Sequence, residues 1–281
     1  MWRSPLLLAR GLPSWHGCHC ASERLDGLIT SRSNPKIKFA RALRERKQRQ
    51  ATGLFLIEGI HHIGSAIEAA VPLQAIYYAP DLLTSSYTLE LVRRQSERGV
   101  PCYATSAEVF VSIAEKENPQ GILAIAQQSL TPLTKLNPTN FPWGVALVSP
   151  QDPGNVGSIL RTIDAVGASG LLLLESSADP YHPQAVRAGM GAHFWYPIAT
   201  ASFDQFVQWV RQHRYHLYGS SARGEREAKQ VKAYHCPLIL LLGSEREGLS
   251  AEQKSVCEMV LRLPMRGRIS SLNLSVAAGV L

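Results

Sequence analysis

Nowhere in its 281 residues does this chain carry an apolar run near the roughly 20 residues that a bilayer-crossing helix requires. That excludes a membrane-spanning helix. The five cysteines (Cys18, Cys20, Cys102, Cys236 and Cys257) are odd in number and scattered. They do not make a disulfide framework and suit a reducing compartment. No internal repeat or low-complexity segment is present. Acids are the scarcer charge, with 22 Asp and Glu against 29 Lys and Arg, leaving a net +7. Such a balance permits a polyanion partner without demanding one. What remains is globular material, 45% hydrophobic and 18% charged, long enough for two domains.

Residues 1–24 hold no acid before Glu23, three arginines (Arg3, Arg10 and Arg24) and one short apolar run, Leu6-Leu7-Leu8-Ala9. The run is too short for a secretory signal. The segment reads as a disordered extension, with a cytoplasmic protein as the first expectation and a mitochondrial transit peptide as the alternative. His16-Gly17-Cys18-His19-Cys20 and the pair His61-His62 lack further ligands at zinc-site spacing, so no metal is expected.

Residues 25–130 read as one α/β unit. Lys36 to Gln50 is expected as a helix opened by Ser33-Asn34-Pro35, and Leu54-Phe55-Leu56-Ile57-Glu58 as a strand. Gly59 to Ala70 and Leu89 to Arg98 have helical spacing, and Ala75–Ala79 and Gly121–Ala126 are strand candidates. Residues 131–142 are rich in proline and polar turn formers and read as a linker. From 143 to 281 the texture changes to apolar strands, each followed by a polar, glycine-containing loop. This pattern predicts a parallel sheet covered on both faces, with ligands bound beyond the carboxyl ends of its strands.

Three of those loops are unusual. Asp152-Pro153-Gly154-Asn155-Val156-Gly157-Ser158 opens a helix that Asp152 or Asn155 can cap, and its glycines permit close approach. Arg161 follows Asn155 by six residues, which turns the two side chains about 120° apart on a helix. Gly243-Ser244-Glu245-Arg246-Glu247-Gly248 follows an all-apolar strand, with Ser250 and Gln253 available as a capping box for the next helix. Leu261 to Met265 reads as a strand stopped by Pro264. Beyond it, Ile269-Ser270-Ser271-Leu272-Asn273-Leu274-Ser275-Val276-Ala277-Ala278-Gly279 places hydroxyls and an amide before a small-residue helix, for which a serine can serve as N-cap.

In order and spacing, these loops resemble motifs 1, 2 and 3 of the SpoU (TrmH) family of RNA ribose methyltransferases, of the SPOUT class. The resemblance runs from about Leu28 onward and implies an α/β fold. A small ribosomal-protein-like substrate-binding domain would precede a parallel-sheet domain with a trefoil knot, which periodicity does not predict. It further implies transfer of methyl from S-adenosylmethionine to a ribose 2′-hydroxyl of ribosomal or transfer RNA, and a homodimer. By position, Asn155 and Arg161 match motif 1, Glu245 matches motif 2, and Ser271 and Asn273 match motif 3. Ala222, Leu242, Gly243, Leu263, Met265, Ser271 and Leu272 would hold the methyl donor, and Arg187 would face RNA. The family assigns Arg161 the role of base, although a guanidinium stays protonated and suits a phosphate better.

Between Arg32 and Arg49, eight cations stand against the single acid Glu45. Arg32, Lys36, Lys38, Arg41 and Arg44 are therefore expected to meet RNA phosphates. Two rival readings remain from the sequence. One is a catalytically silent RNA-binding or ribosome-assembly factor of the same fold. The other is methylation of a base instead of a ribose.

Overall fold

The computed structural model describes residues 27–83 and 85–281. The extension at 1–24, with Cys18 and Cys20, lies outside them.

The leading half runs α1 (Pro35–Ala42), α2 (Arg46–Thr52), β1 (Leu54–Glu58), α3 (Ile60–Glu68), β2 (Leu73–Tyr78), α4 (Ser86–Glu97), β3 (Cys102–Ala104), α5 (Ala107–Val111) and β4 (Ile122–Gln127). Its strands form a mixed sheet in the order β1-β4-β2-β3. Alternate residues of β1 face opposite ways. Leu56 packs with Ile37, Ala40 and Phe110 from α1 and α5, while Phe55 and Ile57 pack with Ile63 of α3 and Leu91 of α4. The expected strands and helices recur with ends moved by a few residues, and β3 and α5 are additions that their shortness hid.

One expectation changes. Lys36 to Gln50 is not a single helix: the chain leaves the helical path after α1, and Glu45 is extended at φ −85°, ψ 133°. The physical reason is Arg49, which is 1% exposed. Its guanidinium donates to the carbonyls of Leu43 (2.9 Å) and Arg44 (2.6 Å), which the break frees from helical pairing. It also pairs with Asp179 at 2.6 Å.

The second half runs β5 (Trp143–Val148), α6 (Pro153–Val166), β6 (Leu171–Leu174), α7 (Pro183–Ala188), β7 (Ile198–Ala201), α8 (Phe203–His213), β8 (His216–Ser220), β9 (Arg226–Glu227), β10 (Leu238–Leu242), α9 (Ala251–Ser255), β11 (Met259–Arg262) and α10 (Leu274–Val280). Seven strands pair in parallel in the order β7-β6-β5-β10-β8-β11-β9. Val145, Leu147, Leu171 and Leu240 pack on one face against Val156, Ile159 and Leu160 of α6 and Leu274 of α10. Ala146, Val148, Leu172 and Leu241 pack on the other face against Phe206, Trp209 and Val210 of α8. Continuous apolar strands are thus explained by burial on both sides.

Residues 131–142 are more than a tether. Leu136 and Phe141 are buried in the α8 side of the core, and the Leu136 carbonyl accepts from the Trp209 indole at 2.9 Å. The two halves meet through α7 and the loop before it, where Tyr181 and Val186 join the core around Phe55. His193 is buried there, its Nε2 is 2.8 Å from the Pro180 carbonyl, and burial pushes its pKa down to about 4. His62 is buried too, so the histidine pair is half core. Among the described residues no group of His, Cys, Asp or Glu could hold a metal ion, and no helix is long and apolar enough to cross a membrane.

Candidate active site

The three sequence motifs converge at the carboxyl ends of the central strands, where a parallel sheet binds its ligands. β5 delivers the loop 149–152, and Asp152 caps α6 by accepting from the Gly154 amide at 2.8 Å. Pro153 occupies the first helical position, where its missing N–H costs nothing. Asn155 is therefore free of capping duty. It is 6% exposed and points at the motif 2 loop.

That loop leaves β10 at Gly243. A Cβ there would lie 2.0 Å from the Gly248 carbonyl carbon, so only glycine lets the loop close on itself. Gly248 completes the turn at φ 67°. Closure directs the Glu245 carboxylate back across the sheet. It accepts from the Gln151 amide (3.0 Å), the Asp152 amide (3.4 Å) and Asn155 Nδ2 (3.0 Å). Partial burial pushes the Glu245 pKa up, but these hydrogen bonds outweigh it and hold the group below its usual value.

Asn155 spends its other end on motif 3, where its Oδ1 accepts from Asn273 Nδ2 at 2.9 Å. Asn273 Oδ1 in turn caps α10, accepting from the Ser275 and Val276 amides. The N-cap of α10 is thus Asn273 and not one of the serines. A serine hydroxyl could cap the helix but has no second amide group to reach motif 1. The capping box of Ser250 and Gln253 forms as expected.

Next to this line of hydrogen bonds is a cleft of ≈ 530 Å³. Ala222, Leu242, Gly243, Leu263, Met265, Ser271 and Leu272 all line it, as does Glu245. Asn155 and Asn273 stand behind Glu245 and do not line the cleft, so their geometry is that of positioning groups. Arg161 is an exposed residue of α6 and is not among the residues that line the cleft. The strand before motif 3 is shorter than expected, ending at Arg262, so Leu263 and Met265 belong to the loop that lines the cleft. Arg246 of the motif 2 loop also lines it, as do Arg223 and Lys254, which lie outside the three motifs.

The expected phosphate-binding residues are mostly engaged elsewhere. Arg32 pairs with Glu108 at 3.0 Å, and Lys36 lies 3.8 Å over the Tyr103 ring. Arg41 donates to the Ser112 hydroxyl at 2.9 Å, and Arg44 donates to the Ala114 carbonyl. These carbonyls and hydroxyls lie at the end of α5, where cations are favoured. Lys38 remains exposed, as do Arg46 and Lys47. Arg187 is exposed on α7 beside Glu58, His62 and Lys116 at the junction of the two halves.

Replacing Asn155 by Asp keeps the acceptor for Asn273 but removes the donor to Glu245 and sets two carboxylates face to face. Loss of one hydrogen bond to a charged group should lower unfolding free energy by about 1.5–3 kcal/mol at neutral pH. Glu245 would then gain a raised pKa in the folded state, so the deficit should shrink as pH falls and the pair takes up a proton. Denaturant unfolding of wild type and Asn155→Asp between pH 4 and 8 measures both effects. An equal deficit at every pH would contradict the pairing.

Residues 142–281 match the model of the SpoU rRNA Methylase family, and residues 34–124 match an MRM3-like substrate binding domain. A 23S rRNA (uridine(2479)-2′-O)-methyltransferase of Streptomyces viridochromogenes is 30% identical over 89% of this chain and 88% of its own. A 23S rRNA (guanosine(2553)-2′-O)-methyltransferase of Bacillus subtilis is 27% identical over 90% of this chain and 96% of its own. The crystal structure of an AdoMet-bound rRNA methyltransferase from Sinorhizobium meliloti superposes with a TM-score of 0.83 at 31% identity, covering 92% of this chain and 95% of that one. With both halves matched, and relatives aligned over nearly their full length, the chain belongs to the SpoU rRNA methylase family.

Proposed function

We propose that this chain transfers the methyl group of S-adenosylmethionine to a ribose 2′-hydroxyl of structured RNA, with ribosomal RNA as the substrate class. The observation that carries this reading is the cleft of ≈ 530 Å³ beside the hydrogen-bonded motif loops. Its volume lies in the range of about 300–1,000 Å³ usual for small-molecule sites. Leu242, Leu263, Met265 and Leu272 supply apolar walls for adenine, and the exposed backbone of the Gly243 and Ser271 loops supplies donors and acceptors for its polar edge. Ribosomal RNA enters through the relatives, whose names specify 2′-O-methylation of 23S rRNA.

When bound, S-adenosylmethionine supplies an electrophilic methyl group on a sulfonium centre. The protein's task is then to hold the ribose oxygen in line with that carbon and to let the hydroxyl proton leave. Glu245 fixes the motif 2 loop through the Gln151 and Asp152 amides and Asn155. Ser271 borders the cleft from the loop that Asn273 anchors and shapes the approach of the ribose. A guanidinium offers a planar fork of N–H donors and no acceptor, so the role of Arg161 in this reading is a bidentate grip on an RNA phosphate. As the ribose oxygen bonds to the methyl carbon, the donor's carbon–sulfur bond would break to leave a neutral thioether, and the hydroxyl proton would pass to solvent.

A homodimer belongs to the same reading. α6, α10 and the adjoining strands border an apolar groove of ≈ 370 Å³, where Val166 is 57% and Val280 62% exposed. Apolar surface gathered in one place marks an interface. RNA contact in the leading half falls to Lys38, Arg46 and Lys47, which are exposed and without a salt-bridge partner among the described residues.

Four experiments test this reading. Ribosomal RNA incubated with the protein and methyl-labelled donor, then digested to nucleosides, should carry its label on a 2′-O-methylated ribose. Arg161→Ala should lower that rate by about 100-fold with donor affinity unchanged, the scale expected of a misplaced substrate. Label on a base would overturn the ribose assignment, and donor binding without transfer to any RNA would leave an RNA-binding factor. Replacing Lys38, Arg46 and Lys47 by Gln should reduce the slope of log affinity against log salt by roughly 2–3, at about 0.7–0.9 per phosphate. An unchanged slope would make that surface merely solvated. Finally, Val166→Glu with Val280→Glu should turn a sedimenting dimer into a monomer, whereas a wild-type monomer at micromolar concentration would end the dimer proposal.

A further inference from the structure

Lys254 is outside every motif considered above, yet it lines the same cleft as Gly243, Met265 and Leu272. It comes from α9, directly after the motif 2 loop, and it is only partly exposed. The two other cations on that lining, Arg223 and Arg246, are exposed. An ammonium group on the lining of a ligand cleft pairs with an anion that comes within reach of it. Among the described residues no carboxylate lies within salt-bridge distance of Lys254.

The acids of the cleft do not supply that anion. Glu245 is turned towards Gln151, Asp152 and Asn155. Glu247 is exposed, and its amide is tied to the Ser244 hydroxyl at 3.2 Å. A cation on a ligand cleft with no protein carboxylate in salt-bridge distance is open to a ligand that brings its own negative charge. The methyl donor carries one carboxylate, on its amino-acid tail. RNA phosphates would instead meet the exposed arginines at the rim.

We infer that Lys254 binds the α-carboxylate of S-adenosylmethionine, with the Ser220 and Ser221 hydroxyls on the same cleft lining available to the rest of the amino-acid tail. The inference rests on the methyl-donor reading above and adds to it a residue that selects for the intact amino acid. By holding the tail, Lys254 restricts how the donor lies in the cleft and therefore where its methyl group points. It is a binding and positioning residue, and no proton transfer is asked of it.

Isothermal titration of the full chain with two probes tests this. One probe is S-adenosylmethionine; the other is its decarboxylated analogue, which keeps the adenosine and the sulfonium but lacks the carboxylate. Wild type should bind the analogue about 10- to 100-fold more weakly, the range for one hydrogen bond to a charged group. Lys254→Met should bind S-adenosylmethionine as weakly as that and should bind the analogue as wild type does. Lys254→Arg should recover part of the difference, and Lys254→Gln provides a second neutral variant should the Met protein fold poorly. Equal weakening towards both probes would assign Lys254 to packing and overturn the proposal. Unchanged binding of both probes, with a flatter salt dependence for RNA, would assign it to phosphate and overturn it as well. Failure of the wild type to bind S-adenosylmethionine at all would overturn the methyl-donor reading, and this inference with it.

Discussion

The line of hydrogen bonds from Glu245 through Asn155 to Asn273 is the interaction on which the site depends. Its members lie 90 and 118 residues apart in the chain, on loops that follow different strands. Asn155 is buried, and both ends of its amide are used, one as donor to a carboxylate and one as acceptor from another amide. Removing either partner would leave a buried polar group unsatisfied, which costs more than the bond itself contributes. The arrangement therefore tends to be complete or to fail as a unit, and it forces three otherwise independent loops into one geometry beside the cleft. Asparagine suits the middle position because a carboxylate could not donate and a hydroxyl could not span the gap.

A second constraint connects the two halves. Arg49 carries a full positive charge in a buried position and satisfies it with Asp179 and with the carbonyls of Leu43 and Arg44. One guanidinium thus breaks the leading helix, caps the freed carbonyls and binds the opposite half. Around it, the Phe55 and Tyr181 rings approach to 4.7 Å, and the Tyr181 hydroxyl exchanges hydrogen bonds with the Ser129 backbone. This junction joins the leading half to the half that carries the cleft through a buried ion pair, a ring contact and backbone hydrogen bonds. Buried charges of this kind give specificity of arrangement more readily than net stability.

The basic segment shows how tertiary structure gives single cations partners that composition does not name. Eight cations against one acid read as a phosphate-binding face. Folding spends several of them internally, on Glu108, on the Tyr103 ring, on the end of α5 and on Asp179. Long side chains reach whatever acceptor the tertiary structure brings near, and that acceptor is 70 or more residues away for Arg41, Arg44 and Arg49. No local pattern encodes such a partner.

The elements of this protein were legible where its residues state their environment locally. Apolar tetrads such as Leu171 to Leu174 predict strands buried on both faces, and Asp152-Pro153 predicts a helix start. Gly243 and Gly248 predict a tight loop for the same reason, since only glycine tolerates that closeness and that φ. The residues of the cleft were legible only through family resemblance, because nothing in the spacing of Ala222, Leu263 and Leu272 says they share a surface. Tertiary structure alone decided that Asn273 and not a serine caps α10, that Leu136 and Phe141 of the expected linker belong to the core, and that Lys254 faces the cleft. Each of those outcomes depends on a partner from a distant strand or helix, and a one-dimensional pattern contains no distances between such partners.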